Sequence, residues 1–286
     1  MRMKKKRIIL LAAACALALF LLCGGRLVKA ALQPLLSPAP ITADQASAPA
    51  QVTLRKGDMV VFGAYRGEPI LWQVLRIESG RPLMWSSRIL CFKAFDAAGA
   101  AAGFHEGPDH TAQGANGWAD STLRQWLNSA ERAVPWSHCP PNAQNVLDGM
   151  NPYAEEAGFL TGFQAAERAL LAERNGDLVF LLSQKELSRW VPIAERAKKL
   201  TRTASMLDQS AYLNLPMSPE WYWTSSPAGS TRTGVATVTT SGGFYKDPAY
   251  DGHTGVCPAV LLNSVSVSAR GDGSAKKPYL IRGAAA

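Results

Sequence analysis

A short capped helix, set between two strand-rich stretches, narrows the fold of this chain more than any other feature. Residues 114–128 read GANGWADSTLRQWLN, a polar loop running into a helix. Asp120 or Ser121 can cap its N-terminus, because a side-chain oxygen there accepts an otherwise orphaned backbone N–H. Leu123, Trp126 and Leu127 then fall at i, i+3 and i+4 as one apolar stripe, with Arg124 and Gln125 off it. The stripe is expected in the core, with Trp126 and Leu127 linking an N-terminal hairpin to a C-terminal sheet. The class expected is α+β.

Upstream, residues 59–62, 70–77 and 82–86 read as strands, separated by turn residues at Gly63, Gly67 and Ser79-Gly80. In the middle one, Ile70, Trp72, Val74 and Arg76 alternate with Leu71, Gln73, Leu75 and Ile77, which makes Trp72 a core residue. Downstream, residues 132–157 hold Pro135, Pro140 and Pro141 and are expected to loop out over the surface. Residues 159–173 read as helix, with Phe163, Ala166, Leu170 and Leu171 on one face. A short buried strand at 178–182 leads into a capping box from Ser183 to Glu186. Residues 193–207 are basic and expected to be exposed. The last third is β-rich, with strands at 221–224, 234–240, 244–245 and 254–262 and a final pair at 265–268 and 278–281.

The N-terminus carries an export signal. Residues 1–7 are basic and residues 8–23 are uninterruptedly apolar, and Gly24-Gly25 then breaks the run. Cleavage after Ala30 and retention as a membrane anchor are both compatible with the pattern. Residues 31–51 are rich in Ala, Pro and Ser and read as a linker, which leaves 52–282 as a single extracytoplasmic domain. The formal charge of +8 does not argue for nucleic acid. Seven of the 30 Lys and Arg residues lie in the first 30 positions, leaving 23 against 22 acidic residues in the remainder.

The exported part keeps Cys91, Cys139 and Cys257. Cys91 and Cys257 can form a disulfide, or all three can be buried small apolar residues. The spacing of His105-Glu106 and Asp109-His110 in a Gly-rich loop favours solvated polar residues over a metal site. No cofactor or metal is expected. Ser225, Ser226, Asp251 and His253 are the only nearby residues from which a hydrolase site could be assembled, and no G-x-S-x-G elbow accompanies them. In the run Trp221-Tyr222-Trp223, alternation sends the two tryptophans to one face and Tyr222 to the other. Trp223 is expected in the core. Tyr222 and Tyr245 are candidate ligand-contact aromatics.

Several segments together resemble a known family. Gly57-Asp58 through Phe62-Gly63 and Tyr65, followed by Trp72, Val74 and Leu75, is similar to the opening of a widespread bacterial family of surface domains of unknown function. Its W-x-x-S-x-L-R-x-W-L-N centre is matched by Trp118, Ser121, Leu123, Arg124, Trp126, Leu127 and Asn128. Its F-L-L-S-x-x-E segment is matched from Phe180 to Glu186, and its closing segments by Trp223 to Pro227 and Val256 to Ala259. The resemblance implies a C-type-lectin-like fold of twisted antiparallel sheets with short helices and long loops. Where the family commonly has arginine, this chain has Gln73, Ser225 and Cys257. If the family pairs those arginines internally, neutral packing replaces the network here, which is the favoured reading, and if they hold an anionic ligand, that ligand is lost.

The function expected is a membrane-tethered, non-catalytic binding domain on the cell surface, or a secreted one. Its partner would be a surface glycan, a peptide or an envelope protein, with the N-terminal segment meeting the membrane. The alternatives are a hydrolase-like enzyme with a site near Ser225 and His253, and a structural subunit of an envelope assembly.

Overall fold

The computed structural model describes residues 48–99, 112–208 and 219–281. The export segment, nearly all of the linker, the His105–His110 group and the tail from 282 lie outside the described residues. Five strands open the fold: β1 (Ala50–Thr53), β2 (Met59–Tyr65), β3 (Glu68–Glu78), β4 (Arg81–Ser86) and β5 (Cys91–Phe92). Four follow at wider spacing: β6 (Leu171–Ala172), β7 (Val179–Phe180), β8 (Lys198–Lys199) and β9 (Pro219–Glu220). The C-terminal part adds β10 (Tyr222–Pro227), β11 (Gly234–Val238), β12 (Phe244–Pro248) and β13 (Gly255–Val256). It closes with β14 (Ala259–Leu262), β15 (Ser266–Arg270) and β16 (Tyr279–Ile281). The helices are α1 (Thr122–Leu127), α2 (Ala165–Arg168), α3 (Gln184–Trp190), α4 (Ile193–Arg196) and α5 (Arg202–Leu207). The result is mixed α+β, mostly sheet with few short helices.

One large sheet runs β1-β15-β16-β2-β3-β4-β14-β6, with β7 also paired to β14, and a second runs β12-β11-β10-β13-β5. Pairing is antiparallel except for β16 with β2 and β10 with β13. The β2–β3 hairpin turns on Arg66-Gly67 and the β3–β4 hairpin on Ser79-Gly80, all four residues at positive φ. That is the two-residue type I′ turn, whose twist matches that of the strands it joins.

The central strands β4, β11 and β14 are buried on both faces, and strand alternation divides the side chains of the sheets between two cores. Met84, Trp223, Val256 and Val260 join Trp72 and the α1 stripe in one core. Their neighbours Trp85, Tyr222, Cys257 and Ala259 join Phe92, Phe180 and Leu187 of α3 in the other. Cys91 belongs to the first core and Cys257 to the second, so their side chains leave the sheet in opposite directions. Of the two readings of the cysteines the disulfide is the one corrected: Cys91 and Cys257 are buried thiols, and buried Cys139 donates its thiol proton to the Gly99 carbonyl.

Two local expectations also change. Residues 159–173 do not form one helix. They divide into a 3-10 turn at Phe159–Gly162, then α2, then β6. Gly162 is pressed onto the Ala64 carbonyl, where a Cβ would collide, and the Arg168 guanidinium takes the carbonyls of Leu160 and Phe163 that a continuous helix would use. Residues 132–157 run largely at the surface but send side chains inward. Val134, Cys139, Val146 and Tyr153 are buried, and Trp136 and Tyr153 pack edge-on. Of the segment expected to be exposed, Ile193, Met206 and Leu207 are, whereas Lys198, Leu200 and Ala204 are buried.

Candidate functional site

The β2–β3 turn holds Arg66 in the left-handed region, at φ +48°, a conformation that favours glycine. From there its guanidinium reaches over the Tyr65 ring and forks. Nη1 meets Asp208 Oδ1 at 2.5 Å and Nη2 meets Glu156 Oε2 at 3.2 Å. Glu156 also accepts from the Tyr65 hydroxyl at 2.7 Å and from Lys93 Nζ at 2.5 Å. Lys93 is only 1% exposed, and its ammonium lies over the rings of Trp126 and Tyr153. Asp208 completes the chain by accepting from the Phe92 amide.

Beside this network lies a cleft of about 210 Å³, lined by Ala64, Tyr65, Arg66, Glu156, Phe159 and the backbone around Gly158 and Gly162. Gly158 packs against the Ser129 backbone and Gly162 against that of Ala64, so one wall is fixed by close backbone contact. Burial by itself would raise the Glu156 carboxyl. The charge and hydrogen bond of Lys93, the Tyr65 hydroxyl and Arg66 outweigh it and hold the carboxyl below its ordinary value. The cleft mouth thus carries a fixed carboxylate beside a fixed guanidinium, both half-buried.

A second polar constellation fastens residues 132–157 to α1. His138 Nε2 lies 2.9 Å from Asp96 Oδ1, and Asp96 accepts from the amides of Ala115 and Thr122. A carboxylate can only accept, so Nε2 carries the proton and Nδ1 accepts from the Ser137 hydroxyl and Gln125 Nε2. The order Ser–His–Asp matches that of a catalytic triad. However, Gln125 shares the imidazole with Ser137 and also takes the Ser137 amide, and the Asp96 carboxylate is occupied with backbone amides. Those contacts account for the group as a fastening between segments.

The aromatic run divides as alternation requires, but the outcome for Tyr222 is a correction. It is 1% exposed in the second core, with its hydroxyl donated to the Arg196 carbonyl, so it offers no surface to a ligand. The reason is that β10 is covered on both faces from Tyr222 to Thr224. Tyr245 is exposed on β12 and packs edge-on with half-buried Trp221 at 5.2 Å. Trp72, Leu123, Trp126, Leu127 and Trp223 are all buried in the first core.

Ser225 and His253 are not brought together. Tyr222 pairs with Gly255 in parallel, so Ser225 lies three residues beyond that pair and His253 two before it. Ser226 accepts from the first amide of α3, and His253 is turned back onto Asp251. Among the described residues, no group of three or more His, Cys, Asp or Glu residues could hold a metal. Nor is any helix there long and apolar enough to cross a membrane.

Sequence reading singled out none of Arg66, Lys93, Glu156 and Asp208. Arg66-Gly67 was legible as a turn, but nothing local marks Lys93 and Glu156, which lie 63 residues apart in sequence. Asn128 was legible as part of a motif but not as a clamp. Its Nδ2 donates to the Val179 carbonyl while its Oδ1 accepts from the amides of Leu178 and Val179, and this ties α1 to β7.

Neither a curated protein nor a solved structure matches the chain. Residues 86–264, which include the α1 motif, the capping box of α3 and the strands from β10 to β14, match the family described as domain of unknown function (DUF6273). That stretch is well over half of the 286 residues, and the chain belongs to this family.

Proposed function

We propose that this chain is an exported, non-catalytic binding domain of C-type-lectin-like fold, held at the membrane or released from it through its N-terminal segment. The observation that carries this reading is the cleft between the β2–β3 turn and residues 156–162. Its charged groups are all paired, and its walls are set by backbone contact. A preformed cavity with fixed donors and acceptors suits recognition, because little ordering cost remains to be met on binding. General acid–base catalysis instead asks for a group poised to titrate near the working pH. Glu156 is pushed the other way. The basic and apolar N-terminus supports export, and the strand-and-loop pattern from 57 to 262 supports the lectin-like fold and a place at the cell surface.

The test is a binding screen of the purified protein against surface glycans, peptidoglycan fragments and peptides at millimolar ligand. Saturable binding with no turnover of the ligand is expected. No binding to any class would count against the reading, and ligand conversion would move the protein to the enzymes.

A further inference from the structure

The geometry points to a ligand class for the Tyr65–Glu156 cleft: a single neutral sugar ring, gripped through two neighbouring hydroxyls by Arg66 and Glu156. This rests on the reading of the chain as a binding domain and deepens it. Three properties of the cleft lead to it.

The first is charge. Lys93 and Arg66 are matched by Glu156 and Asp208, so the cluster is neutral before any ligand enters. A carboxylate or ammonium ligand would leave one uncompensated charge in a half-buried site, which is costly where water is scarce. An uncharged ligand keeps the balance. The second is the free hydrogen-bonding capacity at the mouth. Among the described residues, Glu156 Oε1 accepts only from the Tyr65 hydroxyl and Oε2 from Lys93 and Arg66, so Oε1 retains an accepting position. Arg66 uses one N–H on Asp208 and one on Glu156 and keeps donors on the same fork. A free acceptor beside free donors suits adjacent hydroxyls, since each hydroxyl both donates and accepts.

The third is shape. Apart from the Thr161 hydroxyl, the rest of the lining is apolar or backbone, made by Ala64, Ala157 and Phe159 with Gly158 and Gly162. It offers a surface for the C–H face of a ring. At about 210 Å³ the cleft lies below the usual ~300–1,000 Å³ of small-molecule pockets, which limits it to one ring. The left-handed backbone at Arg66 fits this assignment. An arginine kept where glycine or asparagine is easier marks a position whose side chain matters more than local backbone ease.

The experiment is an NMR titration of the isotopically labelled purified protein with glucose, galactose, mannose and N-acetylglucosamine. Propionate, propylammonium and propionamide serve as charged and neutral comparators. At least one sugar is expected to move the Arg66 Nε–H, Gly158 and Gly162 signals saturably in the millimolar range. Arg66→Lys keeps a cation for Asp208 but loses the fork, and it should weaken that binding roughly tenfold. Arg66→Gly, which suits the left-handed backbone, is the second variant and should abolish it. Tighter binding of propionate or propylammonium at those signals would overturn the ligand class and leave the binding-domain reading standing. Sugar shifts confined to Trp221 and Tyr245 would overturn the cleft as the site. Silence from all seven probes would overturn the proposal, and the broad screen then decides the reading beneath it.

Discussion

Lys93 and Lys198 are buried almost equally, at 1% and 6% exposure, in the two cores on either side of the sheets, yet their surroundings differ. Lys93 meets Glu156 at 2.5 Å over the rings of Trp126 and Tyr153, with Tyr65 and Arg66 completing the carboxylate's partners. Lys198 lies over the Trp85 ring at 3.5 Å, and the nearest titratable influence on it is the Cys257 thiol. Burial brings the Lys198 ammonium down to about 8 and pushes the Cys257 thiol up to about 11. The first core is stapled by a buried charge pair, whereas Lys198, among the described residues, forms no ion pair with a carboxylate. A buried lysine therefore says little until its counter-charge is found. Lys93 holds residues 132–157 in place, and Lys198 is a cost that the second core bears.

The largest expected effects are in the first core. Trp126→Ala removes the ring beneath Lys93 and the packing with Tyr65, Tyr153 and Phe159. It should cost about 3–5 kcal/mol in denaturant unfolding. An unchanged midpoint would show α1 to be peripheral. Glu156→Gln leaves Lys93 buried without its counter-charge and should cost about 3–5 kcal/mol at neutral pH. The pH dependence has a definite sign. The folded-state carboxyl titrates below the ordinary value, so its contribution is complete above about 4.5 and is lost as pH falls through the lower folded value. Wild type should therefore lose its advantage over Glu156→Gln in acid, and a constant gap down to low pH would refute the staple.

In the second core the sign reverses. Lys198→Met should stabilise the protein by about 1–3 kcal/mol at pH 7, because an apolar side chain of similar length replaces a buried ammonium. Unfolded lysine holds its proton to about 10.5 and folded Lys198 only to about 8. Wild-type stability thus rises with pH across that window, and the variant's advantage should fade there. If Lys198→Met is less stable at pH 7, the Trp85 face satisfies the cation and the contrast between the cores fails. Asn128→Ala should cost about 1–3 kcal/mol, since the amides of Leu178 and Val179 lose their acceptor. Hydrogen exchange at those two amides, unaltered in the variant, would show that water replaces the clamp at no cost.

What could be read before folding was what neighbouring residues decide among themselves. The Ser121 cap donor is Arg124 N, three residues on, and the Ser183 box closes with Glu186 over the same span. The strands followed their alternation, and even the splitting of Tyr222 from Trp223 was legible. Whether the face carrying Tyr222 met water was not, because that depends on α3 and the segment around Leu200 covering it. The cleft was hidden for a related reason. Its turn, its carboxylate and its lysine come from positions 66, 156 and 93, and no periodicity connects them.

By itself, the sequence determined the basic and apolar N-terminus, the α+β class, the capped α1 and the tryptophans that anchor the first core. Each follows from hydrogen bonds within a turn or from a repeat of two or three to four residues, interactions whose partners are fixed by the chain's own geometry. Only the tertiary structure decided that residues 132–157 send Val134, Val146 and Tyr153 into the core, that Cys91 and Cys257 face apart, and that Arg66 and Glu156 meet at a cleft. Those outcomes require distant segments to close on one another. The closure is selected by the whole set of buried contacts and ion pairs acting together, and no stretch of sequence holds that set alone.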